Sequence, residues 1–183
     1  MTAKTTASAK RSRNAELAQL LSSLPCPEAL ICVRIGETTD VSAVTTMWVS
    51  YDPVIVAVYL RPGTRTHKLV NEGRQFTINV VDEAQNKQAL MAGSLKGDDP
   101  DKLRKLALEF TPSESIDSPC VSGSAASYEC RVLKVAACGD HDLFLGLVTG
   151  WSVRSDGKPV VRWQGRSCAV GAALEGPAVK YPH

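Results

Sequence analysis

Apolar and polar residues alternate, or apolar residues run together in short blocks, through most of the chain. Ala29 to Ile35, Thr45 to Ser50, Val54 to Leu60 and Phe76 to Val81 each combine β-branched or aromatic residues with strand-like spacing. Tyr128 to Ala137 and Leu143 to Val153 flank Gly139-Asp140-His141, which predicts a hairpin with a tight turn. Val160 to Trp163 and Cys168 to Val170 follow, separated by Gln164-Gly165-Arg166. The polar stretch Gly36 to Asp40 is expected to be a turn. Helical spacing interrupts this series in four places. Asn14 to Ser23 spaces Leu17, Leu20 and Leu21 on one face and stops before Pro25. Thr66 to Glu72 follows Pro62-Gly63, and Glu83 to Met91 opens on Asp82 with Gln85 three residues on, a capping-box pattern. Pro100 to Leu108 has Asp99 as the expected N-cap. Seven or eight strands with short helices and no βαβ rhythm predict a closed, mostly antiparallel barrel with helical insertions.

Charge changes this picture at one end only. Residues 1–14 carry Lys4, Lys10, Arg11 and Arg13 and no acid, which leaves 17 basic against 19 acidic side chains in the rest. The body is therefore not a basic nucleic-acid binder, and the basic segment reads as a disordered leader, 1–14, before a domain over 15–175 and a tail over 176–183. No apolar run approaches the twenty residues of a membrane span, since Val54 to Leu60 is seven. Six cysteines lie scattered without C-x-x-C spacing or paired histidines, which predicts no metal site, buried thiols at Cys32 and Cys130, and a reducing, cytoplasmic setting.

Familiar catalytic signatures are missing from the sequence: no G-x-S-x-G, no P-loop, no H-E-x-x-H and no G-x-G-x-x-G after a strand. Four polar segments after apolar strands remain as candidates. Thr45, Thr46, Met47 and Trp48 could border a planar heteroaromatic ligand, or could equally form a half-buried strand with Trp48 in the core. Arg61, Thr64, Arg65 and Thr66 gather two guanidiniums and two hydroxyls at a helix start, a ready phosphate site or an ordinary capped helix. Lys102 at the next helix start is a weaker anion contact, because Asp98, Asp99 and Asp101 argue for capping. His141 at the hairpin turn could bond a ligand amide or phosphate.

Taken in order, these segments resemble the flavin reductase-like family of FMN-binding split barrels. The similarity runs from Val44 through the Ser50-Tyr51-Asp52-Pro53 turn to Val58, then through Arg61-Pro62-Gly63-Thr64-Arg65-Thr66-His67-Lys68-Leu69 and Gln75-Phe76-Thr77-Ile78-Asn79-Val80. It resumes at Asp101-Lys102-Leu103, at Glu129-Cys130-Arg131-Val132, at Gly139-Asp140-His141-Asp142-Leu143-Phe144-Leu145-Gly146 and over Pro159 to Gly171. The resemblance implies a split β-barrel, mostly antiparallel and Greek-key-like, assembled as a homodimer. It implies FMN, with FAD possible, reduced by NADH or NADPH, and a separate oxygenase that receives the reduced flavin. It further implies that Thr45, Thr46, Met47 and Trp48 border the isoalloxazine, that Arg61, Thr64, Arg65, Thr66 and Lys102 serve its phosphate, and that His141 lies near flavin and nicotinamide. An electron carrier that never meets nicotinamide, or a non-catalytic flavin- or haem-binding module, is the alternative. Val54 stands where the family has a second proline, Ser42 where many members have Asn, and Ser167-Cys168 where an aromatic is common.

Overall fold

The computed structural model describes residues 15–178; the expected leader at 1–14 and residues 179–183 of the expected tail lie outside them. A helix over 15–22, α1, leads into β1 (Cys26–Ile35), β2 (Thr38–Tyr51) and β3 (Val54–Leu60). Then come α2 (Arg65–Gly73), β4 (Gln75–Val80), a 3-10 turn at Glu83–Gln85, α3 (Asn86–Ser94) and α4 (Lys102–Leu106). The chain continues through β5 (Phe110–Thr111), β6 (Cys120–Val121), the long hairpin β7 (Ala126–Cys138) and β8 (His141–Val153), and β9 (Val160–Trp163) with β10 (Arg166–Ala169).

The strand order β1-β2-β3-β8-β7-β4 closes through a β4–β1 pairing, so six antiparallel strands form a barrel. The β9–β10 hairpin extends it from the start of β1, where Cys26 pairs with Arg162 and Pro27 with Val161. Closure removes exposed strand edges, and burial of both faces is why β1 runs apolar from Ala29 to Val33. Its Ala29, Ile31 and Val33 enter the barrel interior with Val58, Phe76, Ile78 and Phe144. Leu30 and Cys32 point the other way, into a second core under α3 and α4 with Val41, Ala89 and Leu106.

Polar groups caught between these cores are bonded. Asn79 donates to the Leu30 carbonyl (3.0 Å) and accepts from the Val121 amide (2.8 Å) and Ser127 hydroxyl (2.9 Å). Cys32 and Cys130 are free and fully buried; burial pushes the Cys32 thiol up to about 12 and raises Cys130 as well, so both act as small apolar residues.

The capping box at Asp82 forms with Gln85, and the chain passes from the 3-10 turn into α3. Two expectations are corrected. The segment Thr38 to Asp40 is strand, not turn, because it pairs with Val33 to Ile35 of β1 and buried Asp40 finds partners described below. The helix expected from Pro100 is only α4, capped at Asp101, since Asp99 accepts the Asp101 amide (2.9 Å) and the Lys105 ammonium (2.6 Å).

Asp82 accepts from the Lys158 amide (2.8 Å) and the Ala84 amide (3.0 Å), and these bonds, with the Arg154 charge, hold its carboxyl below the ordinary range. The folded protein thus binds this proton more weakly than the unfolded chain does. The stabilisation is complete above the ordinary carboxylate range and is lost as pH falls through the folded value. In urea titrations at several pH values, Asp82→Asn is expected to be less stable at neutral pH and to lose less stability on acidification. An unchanged acid slope would contradict this.

Candidate functional site

The register of β2 on β3, Thr46 with Val58 and Met47 with Ala57, sets which residues face outward. Val56, Val58 and Leu60 fill the barrel, so Ala57 and Tyr59 lie on its outer wall, and Thr45 and Met47 flank them there. On this wall is a cleft of about 350 Å³, largely apolar, bounded by Leu21, Leu24, Cys26, Met47 and Tyr59, with Thr45, Thr46 and Arg162 supplying polar atoms. That volume lies within the range of small-molecule sites. A smaller cavity of about 180 Å³ adjoins it and shares Thr45 and Arg162. Thr46 is buried and donates its hydroxyl to the Ala57 carbonyl (3.0 Å). Trp48 is 52% exposed and stacks on Tyr51 with ring centroids 4.5 Å apart, so it is neither core nor a wall of this cleft.

A corner of Arg61, Asp140 and His141 stands beside this wall. Pairing of Leu60 with Asp142 carries Arg61 opposite His141, and both side chains hold Asp140. The Arg61 guanidinium donates to one Asp140 oxygen at 3.2 Å, and the His141 Nδ1 meets the other at 2.9 Å. The hydrogen bond and charge of His141, with Arg61 adding to them, keep the Asp140 carboxyl below its ordinary value. Gly139 takes φ +68° in the tight turn and His141 begins β8, paired with Cys138. One residue on, Asp142 bonds His67 Nε2 at 2.7 Å, and the His67 ring sits edge-on to Phe144 at 5.5 Å. Thus Asp140 clasps Arg61 from the segment between β3 and α2, and Asp142 clasps His67 from the first turn of α2. His67 carries no sequence signal for this role, because its partner lies 75 residues away.

Gly63, at φ +86°, turns the chain into α2, and Thr64 caps it by accepting the His67 amide (3.4 Å) while donating to the Arg61 carbonyl (2.8 Å). A helix start leaves other first-turn N–H groups without intrahelical partners, and no acid stands in this first turn. Arg65 leans instead toward the Gly97 carbonyl (3.4 Å) and borders a separate pocket of about 330 Å³ with Glu37, Thr39, Asp99 and Lys102. Thr66 and Lys102 differ from the expectation that they face a phosphate. The Thr66 hydroxyl bonds buried Asp40 at 2.6 Å and the Lys102 ammonium bonds its other oxygen at 2.8 Å. Their polar atoms are engaged in an interior ion pair, which needs a donor for each carboxylate oxygen.

The fold therefore brings Thr45 and Met47 together at the cleft and Arg61 with His141 at the corner, and it separates Arg65, Thr66 and Lys102 from both. Arg162, absent from the sequence-derived candidates, joins the cleft. The donor set fits a flavin: an apolar slot with a few hydroxyls for the ring, and guanidinium with helix N–H groups for an anionic tail. Among the described residues no cluster of three His, Cys, Asp or Glu could hold a metal ion, and no helix is long and apolar enough to cross a membrane.

The family model described as "Flavin reductase like domain" matches residues 21–171. An uncharacterized protein of Pyrococcus abyssi is 30% identical over 144 residues, 75% of this chain and 83% of that protein. The NADH:riboflavin 5'-phosphate oxidoreductase of Streptomyces pristinaespiralis is 25% identical over 150 residues, 82% of this chain and 81% of that protein. Among solved structures, a nitrilotriacetate monooxygenase component B homolog from Mycobacterium thermoresistibile shares the fold with a TM-score of 0.82 at 22% identity, covering 94% of each chain.

Proposed function

This chain belongs to the flavin reductase-like family, and we propose that it is an NAD(P)H-dependent reductase of FMN. The observation that carries this reading is the juxtaposition of an apolar cleft on the outer wall of β2 and β3 with the Arg61–Asp140–His141 corner. Such a site suits a ligand that is flat and apolar at one end and anionic at the other. The similarity to an NADH:riboflavin 5'-phosphate oxidoreductase supports the same ligand pair. When bound, flavin supplies the chemistry, accepting two electrons with a proton from the reduced nicotinamide. The protein's part is placement: Thr45, Met47 and Tyr59 fix the ring, and Leu21 and Leu24 add apolar surface at its side. Arg61 and the start of α2 take the phosphate, and His141 stands beside the incoming nicotinamide. No side chain has to act as an acid or base.

The patch of Trp48, Val49, Tyr51 and Val54, each 43–52% exposed, supports assembly as a homodimer. Supply of reduced flavin to a separate oxygenase in the cytoplasm completes the proposal; an open cleft from which flavin can leave and six free thiols support it.

Visible spectra after adding FMN, FAD or riboflavin, followed by anaerobic NADH and NADPH oxidation, test the reading. Bound FMN with steady turnover is expected. A protein that binds FMN but is reduced only by a protein donor is a carrier instead, and one that binds no flavin overturns the proposal. Arg61→Ala should weaken FMN binding by about 1–3 kcal/mol, the worth of a charge-assisted bond, and leave riboflavin affinity unchanged. Equal loss for both ligands would move the phosphate site elsewhere. His141→Ala should raise the nicotinamide KM and leave FMN affinity near the wild-type value; the reverse pattern would reassign it to the flavin.

A further inference from the structure

We propose that Arg162 contacts the ring in the cleft and, held by Glu28, favours reduced over oxidised flavin. The assignment rests on the flavin reading above. Arg162 comes from β9, outside the six-stranded barrel, yet it borders both the 350 Å³ cleft and the 180 Å³ cavity beside it. Its Nε is ion-paired with Glu28, whose side chain is only 6% exposed. Glu28 is fixed in turn by the Ser167 hydroxyl, 3.1 Å from each carboxylate oxygen. The Arg162 side chain is 36% exposed, so its guanidinium is only partly covered by this pairing. A guanidinium with five N–H donors, held by Glu28 at the border of both cavities, is poised to donate into the cleft.

Its position along the wall says which part of the ligand it meets. From β3, which leads to Arg61, the wall crosses β2 and β1 before reaching β9. Three inter-strand steps span on the order of 14 Å, enough to lay a tricyclic ring between the Arg61 and Arg162 guanidiniums. The dimethylbenzene end of isoalloxazine offers no acceptor, whereas the pyrimidine end carries two carbonyl oxygens and a ring nitrogen. The guanidinium therefore suits the pyrimidine end. Addition of a hydride to the ring leaves it with one more negative charge, centred there, and a nearby positive group stabilises that form more than the oxidised one. Leu21 and Leu24 add apolar surface to the same cleft, and because Arg162 is 36% exposed, water screens its charge in part.

Anaerobic titration of wild type, Arg162→Met, Arg162→Lys and Glu28→Gln with oxidised and dithionite-reduced riboflavin and FMN tests this. Arg162→Met is expected to lower affinity for reduced relative to oxidised flavin about tenfold, the scale of one charge-assisted bond. The change should be the same for riboflavin and FMN, unlike that of Arg61→Ala. Arg162→Lys should keep most of the preference. Glu28→Gln, which removes the counter-charge, should shift it the opposite way, toward tighter binding of reduced flavin. If Arg162→Met does not fold, the Lys and Gln variants decide alone. A ratio unchanged in Arg162→Met, or a Glu28→Gln ratio that fails to rise, overturns the assignment while leaving the reductase reading intact. A wild-type protein that binds neither flavin overturns both.

Discussion

Asp40→Ala is expected to destabilise the fold by about 3–5 kcal/mol, the cost of leaving one member of a buried ion pair without its partner. Asp40 and Lys102 are 3% and 5% exposed at their side chains, and the Asp40 carboxylate also takes the Thr66 hydroxyl at 2.6 Å. Removing the carboxylate strands an ammonium and a hydroxyl between β2, α2 and α4. Water reaches neither well, so the desolvation penalty stays while the Coulomb attraction is lost. Asp40→Asn, which keeps one acceptor, should cost less. The pair Asp40→Leu with Lys102→Met should recover much of the loss, because a well-packed apolar pair replaces a buried ionic one at little net cost. Urea midpoints at constant m value measure all three. A loss under about 1 kcal/mol in Asp40→Ala would mean that Lys102 swings to another acceptor and that the pair is not needed. Because Thr66 lies in the first turn of α2, the same network sets where that helix begins.

Phe144→Ala is the second large effect, expected at about 3–5 kcal/mol for a fully buried ring whose neighbours collapse only in part. Phe144 fills the barrel interior with Phe76, Val58 and Ile78, and its edge supports the His67 ring at 5.5 Å. The midpoint of thermal unfolding should fall by roughly 6–20 °C in a domain of this size. Alongside this, the hairpin turn at Gly139 should loosen from α2, since the His67–Asp142 bond loses the surface that holds it. Faster amide exchange at His141 and Asp142 than the global loss explains would report that. Exchange in strict proportion to global stability would mean that the bond survives without the ring.

The barrel was legible because its signals are local. The apolar run Val54–Leu60 and the alternation in Gln75–Val80 declare strands, and Gly139-Asp140 declares the turn between the two longest neighbouring strands. The capping box at Asp82 and Gln85 is read three residues apart. Site residues were legible in part. Thr45, Met47, Arg61 and His141 lie on one side of the barrel wall; the sequence offered them as polar segments after apolar strands, and the family resemblance implied their roles. Trp48 was not: its side chain stacks on Tyr51 at the irregular end of the β2–β3 pair, where a register shift between Trp48 and Ser50 breaks the alternation.

Charge was the least legible property. Asp40, read as part of a polar turn, is 2% exposed, and the strand continues through it because Lys102, 62 residues later, arrives to neutralise it. Asp140 gains Arg61 across 79 residues, and Glu28 gains Ser167 across 139. The chain's own order of residues determined the strands, the turns, the apolar cores and the family, since backbone geometry and burial depend on neighbours a few positions away. Only the closed barrel decided which of its polar groups are spent on one another and which stay open at the cleft, because an ion pair forms wherever folding brings opposite charges within a few ångströms, at any separation along the chain.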